Sequence, residues 1–137
     1  MTKRADQMPK KMRPEEAPSF ETVLEGQLQD PEFRAEWERT ALARAVANAV
    51  VRYRAERGLS QRTLAGLLGW KQPQVARLEL GEHNPTVETL LLLTRKLKLR
   101  FAFAVGPPGD PLPVRPRKTD LVERVEDDEG RLMAAAG

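Results

Sequence analysis

The sequence predicts an all-α fold of five helices with one C-terminal strand and flexible tails. Three observations predict it. Apolar residues recur at helical spacing through residues 20–97. Of 11 prolines, eight lie outside residues 20–105, and Pro31, Pro73 and Pro85 sit where a helix should begin. There the missing proline N–H removes no intrahelical bond. Residues 99–105 then alternate, with Leu99, Phe101, Phe103 and Val105 on one face, which is the period of a strand.

Each element follows from local chemistry. Residues 1–19 are polar and read as a flexible arm. The first helix covers residues 20–28, with Phe20, Val23, Leu24 and Leu28 on one stripe. Asp30-Pro31-Glu32 then reads as N-cap, N1 and N2 of the second. A straight helix over 31–57 would be about 40 Å long, so a break near Thr40 or a projecting arm is expected. Leu42, Val46, Val50 and Tyr53 should face the core. Ser60 caps the third helix, 61–68, which Gly69 ends; Leu64, Ala65 and Leu67 or Leu68 face inward. The fourth runs over 72–80 to Gly81, with Val75 and Leu78 inward. The fifth covers 86–97, where Val87, Leu90, Leu91, Thr94 and Leu97 are expected to share a face. Residues 98–105 form the strand. Residues 106–137 read as a Pro-rich linker and an acidic tail, largely disordered.

Composition narrows the function. There is no cysteine and one histidine, which excludes a disulfide framework and a zinc site built on Cys and His. No run of about 18 uncharged apolar residues exists, and no export signal is read at the start, so no membrane association and a cytoplasmic place are expected. Net charge is +3, unevenly spread: residues 20–39 carry −4, residues 40–97 carry +5, residues 98–118 carry +4 and residues 119–137 carry −4. A basic block between acidic flanks is the electrostatic footprint of a nucleic-acid binder, although an ordinary solvated surface fluctuates in charge too.

Two short helices joined by a tight, glycine-containing turn form a helix-turn-helix pattern, in which the second helix is free to enter a major groove. Ala65 is small where the two helices cross, and Gly69 permits the turn. The string Arg57-Gly58-Leu59-Ser60-Gln61, Leu64-Ala65, Leu68-Gly69, then Gln72 to Glu79 and Gly81 resembles the phage-repressor (Cro/C1, or XRE) family. That resemblance covers residues 40–97 and implies a lambda-repressor-like DNA-binding domain there. It implies base reading by Gln72, Gln74 and Arg77 and phosphate contact by Gln61. It further implies a structural ion pair between Arg54 and Glu79. Lys71 stands where relatives place a Ser or Thr cap. Its side chain cannot cap and is expected on phosphate, as are His83 and Asn84. The bland alternative leaves Gln72, Gln74 and Arg77 as solvent-facing polar residues, and Trp37 and Trp70 as packing. The acidic leader, residues 20–39 with Asp30-Pro31-Glu32-Phe33-Arg34, resembles that of HigA-type antitoxins.

The expected function is therefore a sequence-specific transcriptional repressor bound to a double-stranded operator. The resemblance implies the antitoxin of a type II toxin–antitoxin pair that autoregulates its operon, with a RelE/HigB-like toxin as partner. A stand-alone XRE-family regulator is the alternative. A homodimer is expected, with Leu92 on the polar side of the fifth helix and the strand residues Leu99, Phe101 and Phe103 as dimer or partner contacts. A lone strand needs its unpaired backbone groups satisfied by a symmetry mate or a partner's sheet edge. No cofactor and no enzymatic activity are expected, because no nucleophile elbow, P-loop, zincin or dinucleotide motif occurs.

Overall fold

The computed structural model describes residue 15 and residues 17–137. Most of the arm expected at 1–19 lies outside the described residues. Among them are six helices, α1 (Phe20–Gln27), α2 (Pro31–Arg39), α3 (Ala41–Arg57), α4 (Gln61–Leu68), α5 (Gln72–Leu80) and α6 (Val87–Leu97). Three strands follow, β1 (Phe101–Gly106), β2 (Leu121–Glu126) and β3 (Arg131–Ala136). The expected five helices become six because the run over 31–57 breaks at Thr40. The expected single strand becomes a sheet because the C-terminal tail is folded.

The chain divides into a unit ending at Ala35 and a unit of Glu36–Gly137. In the first, Ser19 caps α1 by accepting the Thr22 N–H at 3.2 Å. Asp30 accepts the Glu32 N–H at 3.0 Å, the arrangement its Asp-Pro-Glu string predicts. α1 buries no residue, and Phe20 and Val23 are 69% and 45% exposed.

In the second unit the Thr40 hydroxyl donates to the Glu36 carbonyl at 2.9 Å, so the backbone turns at residue 40 with its side chain satisfied. The core joins Val46 and Val50 of α3, Leu64, Ala65 and Leu68 of α4, Val75 of α5, and Leu90, Leu93 and Leu97 of α6. Leu93 is fully buried, whereas Val87 and Leu91 are exposed. The inward stripe of α6 thus runs through positions 90, 93 and 97, an i, i+3, i+7 row, and not through the expected 87, 91 and 94. Leu92 is half-buried. Lys98 closes α6 in the left-handed region at φ 61°, and the chain then enters β1.

The second face of α3 is made of alanines. Ala45 and Ala49 pack on Ala134 and Ala136 of β3, with Leu42, Leu99, Phe101, Leu121 and Leu132 around them. Small residues on both surfaces let helix and sheet backbones approach closely. The sheet order is β1-β3-β2, both pairs antiparallel, with Phe101 and Leu121 each opposite Ala136. β1 and β2 are therefore parallel with β3 between them, and residues 107–120 must cross the sheet to join them. Extended Pro-rich backbone suits such a crossing. Along it Leu112, Val114 and Pro116 are half-buried while their neighbours are exposed. The disordered linker and tail expected at 106–137 are thus replaced by a crossover and two strands. Glu123 is tied to α3, with Arg44 donating to it at 3.2 and 3.4 Å while stacking over the Trp37 ring at 3.6 Å.

Asp120 anchors the crossover. Its carboxylate accepts the Arg117 N–H at 2.7 Å and the Arg100 guanidinium at 3.0 Å, with its side chain 3% exposed. Burial pushes its pKa up, but the Arg117 amide and the Arg100 guanidinium together hold it below the ordinary value. A depressed folded pKa means the stabilisation is present above the unfolded carboxylate value and is lost as pH falls through the folded one. The expected result is a urea midpoint that drops steeply below about pH 4, and less steeply in Asp120→Asn. Identical acid profiles for the two chains would remove Asp120 from this role.

Candidate nucleic-acid interface

The turn that presents α5 is built locally. Gly69 sits at φ 70°, a left-handed conformation that suits glycine, and the Trp70 N–H returns to the Ala65 carbonyl at 2.8 Å. Ala65 is buried at the crossing of α4 and α5. Val75 is fully buried and Leu78 packs against the same core, which fixes the inner face of α5. The outer face carries Lys71, Gln72, Pro73, Gln74 and Arg77, all exposed. Gly81 ends the helix at φ 66°, where a Cβ would also stand 3.4 Å from Ala47.

The start of α5 is secured without an N-cap side chain. Lys71 occupies the N-cap position with extended backbone, and a lysine side chain has no acceptor to offer. The Gln74 carbonyl oxygen instead accepts the Lys71 N–H at 2.8 Å, the reciprocal half of a capping box. The Gln74 N–H goes to the Lys71 backbone carbonyl at 2.9 Å. Gln74 therefore has its carbonyl engaged and its amide NH2 available to a ligand.

A chain of polar side chains runs from the exposed face into the protein. Gln72 donates to the Gln61 carbonyl at 2.8 Å, and Gln61 donates to Glu79 at 2.6 Å. Arg54 grips the Glu79 carboxylate through two nitrogens, one at 3.1 Å, and its third donates to the Leu59 carbonyl at 3.0 Å. The Glu79 side chain is 6% exposed and that of Arg54 is 23% exposed. The hydrogen bond to Glu79 raises the Arg54 pKa further, against the opposing effect of burial. Gln61 is thus a relay between Glu79 and Gln72, and the Arg54–Glu79 pair joins α3 to α5 beneath them. The Gln72 carbonyl oxygen stays open while its NH2 is held in place.

The remaining expected residues separate into two groups. His83 is exposed and shares a shallow cleft with Trp70, Gln74, Arg77 and Thr89, so it lies on the same side as the outer face of α5. Asn84 also borders that cleft, but its amide bridges the break between α2 and α3. Its oxygen accepts the Ala43 N–H at 3.0 Å and its NH2 donates to the Arg39 carbonyl at 3.0 Å. With both ends engaged 41 and 45 residues away in sequence, Asn84 holds the helix break, and no phosphate contact is assigned to it. Trp70 both packs against the core and lines this cleft, and sequence reasoning missed Glu79 as the acceptor for Gln61. That contact carries no local signal, since Gln61 and Glu79 lie 18 residues apart.

Comparison with known proteins falls on this same region. A Helix-turn-helix family matches residues 51–103, from the second half of α3 into β1. An uncharacterized HTH-type transcriptional regulator of Haemophilus influenzae is 43% identical over 53 residues, which are 39% of this chain and 54% of that protein. The match thus spans about half the length of that relative. No solved structure matches the chain. Among the described residues no helix is long and apolar enough to cross a membrane.

Proposed function

From a chain that carries a Cro/C1-type helix-turn-helix domain at residues 51–103, we propose a sequence-specific repressor that docks the outer face of α5 in the major groove of double-stranded DNA. The observation that carries this reading is the exposed Gln72 braced by Gln61, itself braced by Glu79. A base-reading side chain is most discriminating when its rotamer is locked by neighbours. Gln72 reads adenine through N6 and N7, and Arg77, five residues along the same helix, reads guanine. Lys71 and His83 contact phosphate and set orientation, which supplies most of the affinity and its salt dependence. The protein acts as a homodimer on a pseudo-palindromic site.

Binding to the chain's own promoter fragment, measured at two salt concentrations, tests this. Gln72→Ala is expected to lose about 1–3 kcal/mol of discrimination between the operator and a base-substituted site. Lys71→Ala is expected to weaken both sites alike and to lower the salt slope by about 1. Equal loss of discrimination in the two variants would reverse these roles.

The finer reading is an antitoxin that represses its own operon. Its support is the acidic segment 20–39, whose first helix leaves Phe20 and Val23 exposed beside Glu21 and Glu25. An apolar stripe rimmed by acids suits a basic protein such as a RelE/HigB-like toxin. Co-expression with the product of the adjacent reading frame tests it. A small basic protein that co-purifies and is lost in Phe20→Asp supports the antitoxin, and an adjacent frame with no such product leaves a stand-alone regulator.

A further inference from the structure

The sheet has two edges of different character. Arg100 and Gly137 exchange both backbone hydrogen bonds, at 2.6 and 3.0 Å, so they form a hydrogen-bonded antiparallel pair. Alternation along β1 then points the N–H and C=O groups of Ala102 and Ala104 toward β3. Those of Phe101, Phe103 and Val105 point away from it, along an outer edge that no strand covers among the described residues. By the same alternation the outer edge of β2 presents the backbone of Val122, Arg124 and Glu126. Two of those three residues are charged, which discourages pairing, whereas β1 (FAFAVG) carries no charge at all. On the β1 edge Phe103 and Val105 are 46% and 69% exposed.

We infer that β1 pairs antiparallel with β1 of a second copy across a two-fold axis at Phe103, giving a continuous six-stranded sheet. This rests on the homodimer proposed above and names its surface. The edge is complementary to itself. With Phe103 opposite Phe103 of the second copy, Phe101 stands opposite Val105, and every outward N–H and C=O of those three residues gains a partner. The same register stacks Phe103 on its mate and Phe101 on Val105, pairings of the aromatic and aromatic–β-branched kind that stabilise strands. A neutral edge meets a neutral edge, so no charge is desolvated. A β1-to-β2 pairing would instead bring Arg124 and Glu126 into the seam and would be heterologous, building a ring or a filament in place of a dimer. Of the expected contacts, Phe101 and Phe103 present their backbone at this edge, the Phe101 side chain also packing with the core as Leu99 does, and Leu92 lies outside it.

Sedimentation velocity of the full chain over a wide concentration range tests the inference. The wild type is expected to sediment as a dimer. Phe103→Lys and Phe103→Glu, each checked by circular dichroism for an intact fold, are each expected to be monomeric, because like charges would face each other across the axis. An equimolar mixture of the two is expected to regain the dimer, since lysine then faces glutamate. A monomeric wild type overturns the inference together with the homodimer reading, yet leaves half-site DNA recognition testable by itself. A dimer that survives both substitutions keeps the homodimer but moves its seam elsewhere. A mixture that stays monomeric overturns the register at Phe103.

Discussion

Glu79→Ala is expected to destabilise the protein by about 3 kcal/mol or more and to weaken operator recognition at the same time. The stability loss follows from what remains: Arg54 keeps a largely buried guanidinium without its carboxylate, and removal of one partner of a buried pair leaves an uncompensated charge. The recognition loss follows from the relay. Gln61 donates to Glu79 and receives Gln72, so without the carboxylate Gln61 is free to rotate and Gln72 loses its brace. Chemical denaturation and binding to operator and base-substituted DNA, run on the same variant, separate the two effects. Arg54→Ala should cost comparable stability, because it strands Glu79. It should spare discrimination more, because Gln61 still reaches the carboxylate. Equal discrimination in wild type and Glu79→Ala would show that the relay does not brace Gln72.

Ala134→Asp is expected to cost on the order of 4 kcal/mol and to leave the chain unfolded or nearly so at ambient temperature. Ala134 has no exposed surface and packs against Ala45 and Ala49. Among the described basic side chains, Arg44 is already held by Glu123 at the α3–sheet contact. A carboxylate placed there would be buried without a partner and would also overfill a contact built from methyl groups. Thermal melting followed by circular dichroism gives the answer. A melting temperature equal to that of the wild type would return residues 119–137 to the disordered tail that their composition suggests.

These two substitutions mark where sequence reasoning reaches and where it stops. The glycines that end α3, α4 and α5, the Ser60 cap of α4, and the prolines that open α2 and α5 were legible, whereas the Ser19 cap of α1 and the Thr86 cap of α6 were not. Each acts within a few residues of its own position. The alanine run at 134–136 was not legible. Alanine packs equally in a helix, in a strand or against a close backbone, and an acidic stretch beside it reads as solvated. Leu93 is absent from the expected inward face, and Leu91 present in it, for a related reason. In a run of four leucines, 90–93, periodicity alone leaves two stripes open, and contact with α4 selects one.

The candidate site divides along the same line. That Gln72 and Arg77 lie on an outward helix face after a tight turn was readable from spacing and from the resemblance. That Gln74 caps its own helix lies within reach of sequence logic, three residues from Lys71, but the lysine concealed it. That Asn84 braces a helix break through partners 41 and 45 residues upstream was out of reach.

By itself the sequence determined where α4 and α5 begin and end and which of them turns its polar face outward, because caps, glycine turns and apolar periodicity act over one or two helical turns. The tertiary structure alone decided that the tail is a sheet, that Arg44 holds Glu123 across 79 residues, and that Gln61 stands between Glu79 and Gln72. Those features are pairings between distant segments, and their free energy exists only once the chain has brought both partners together.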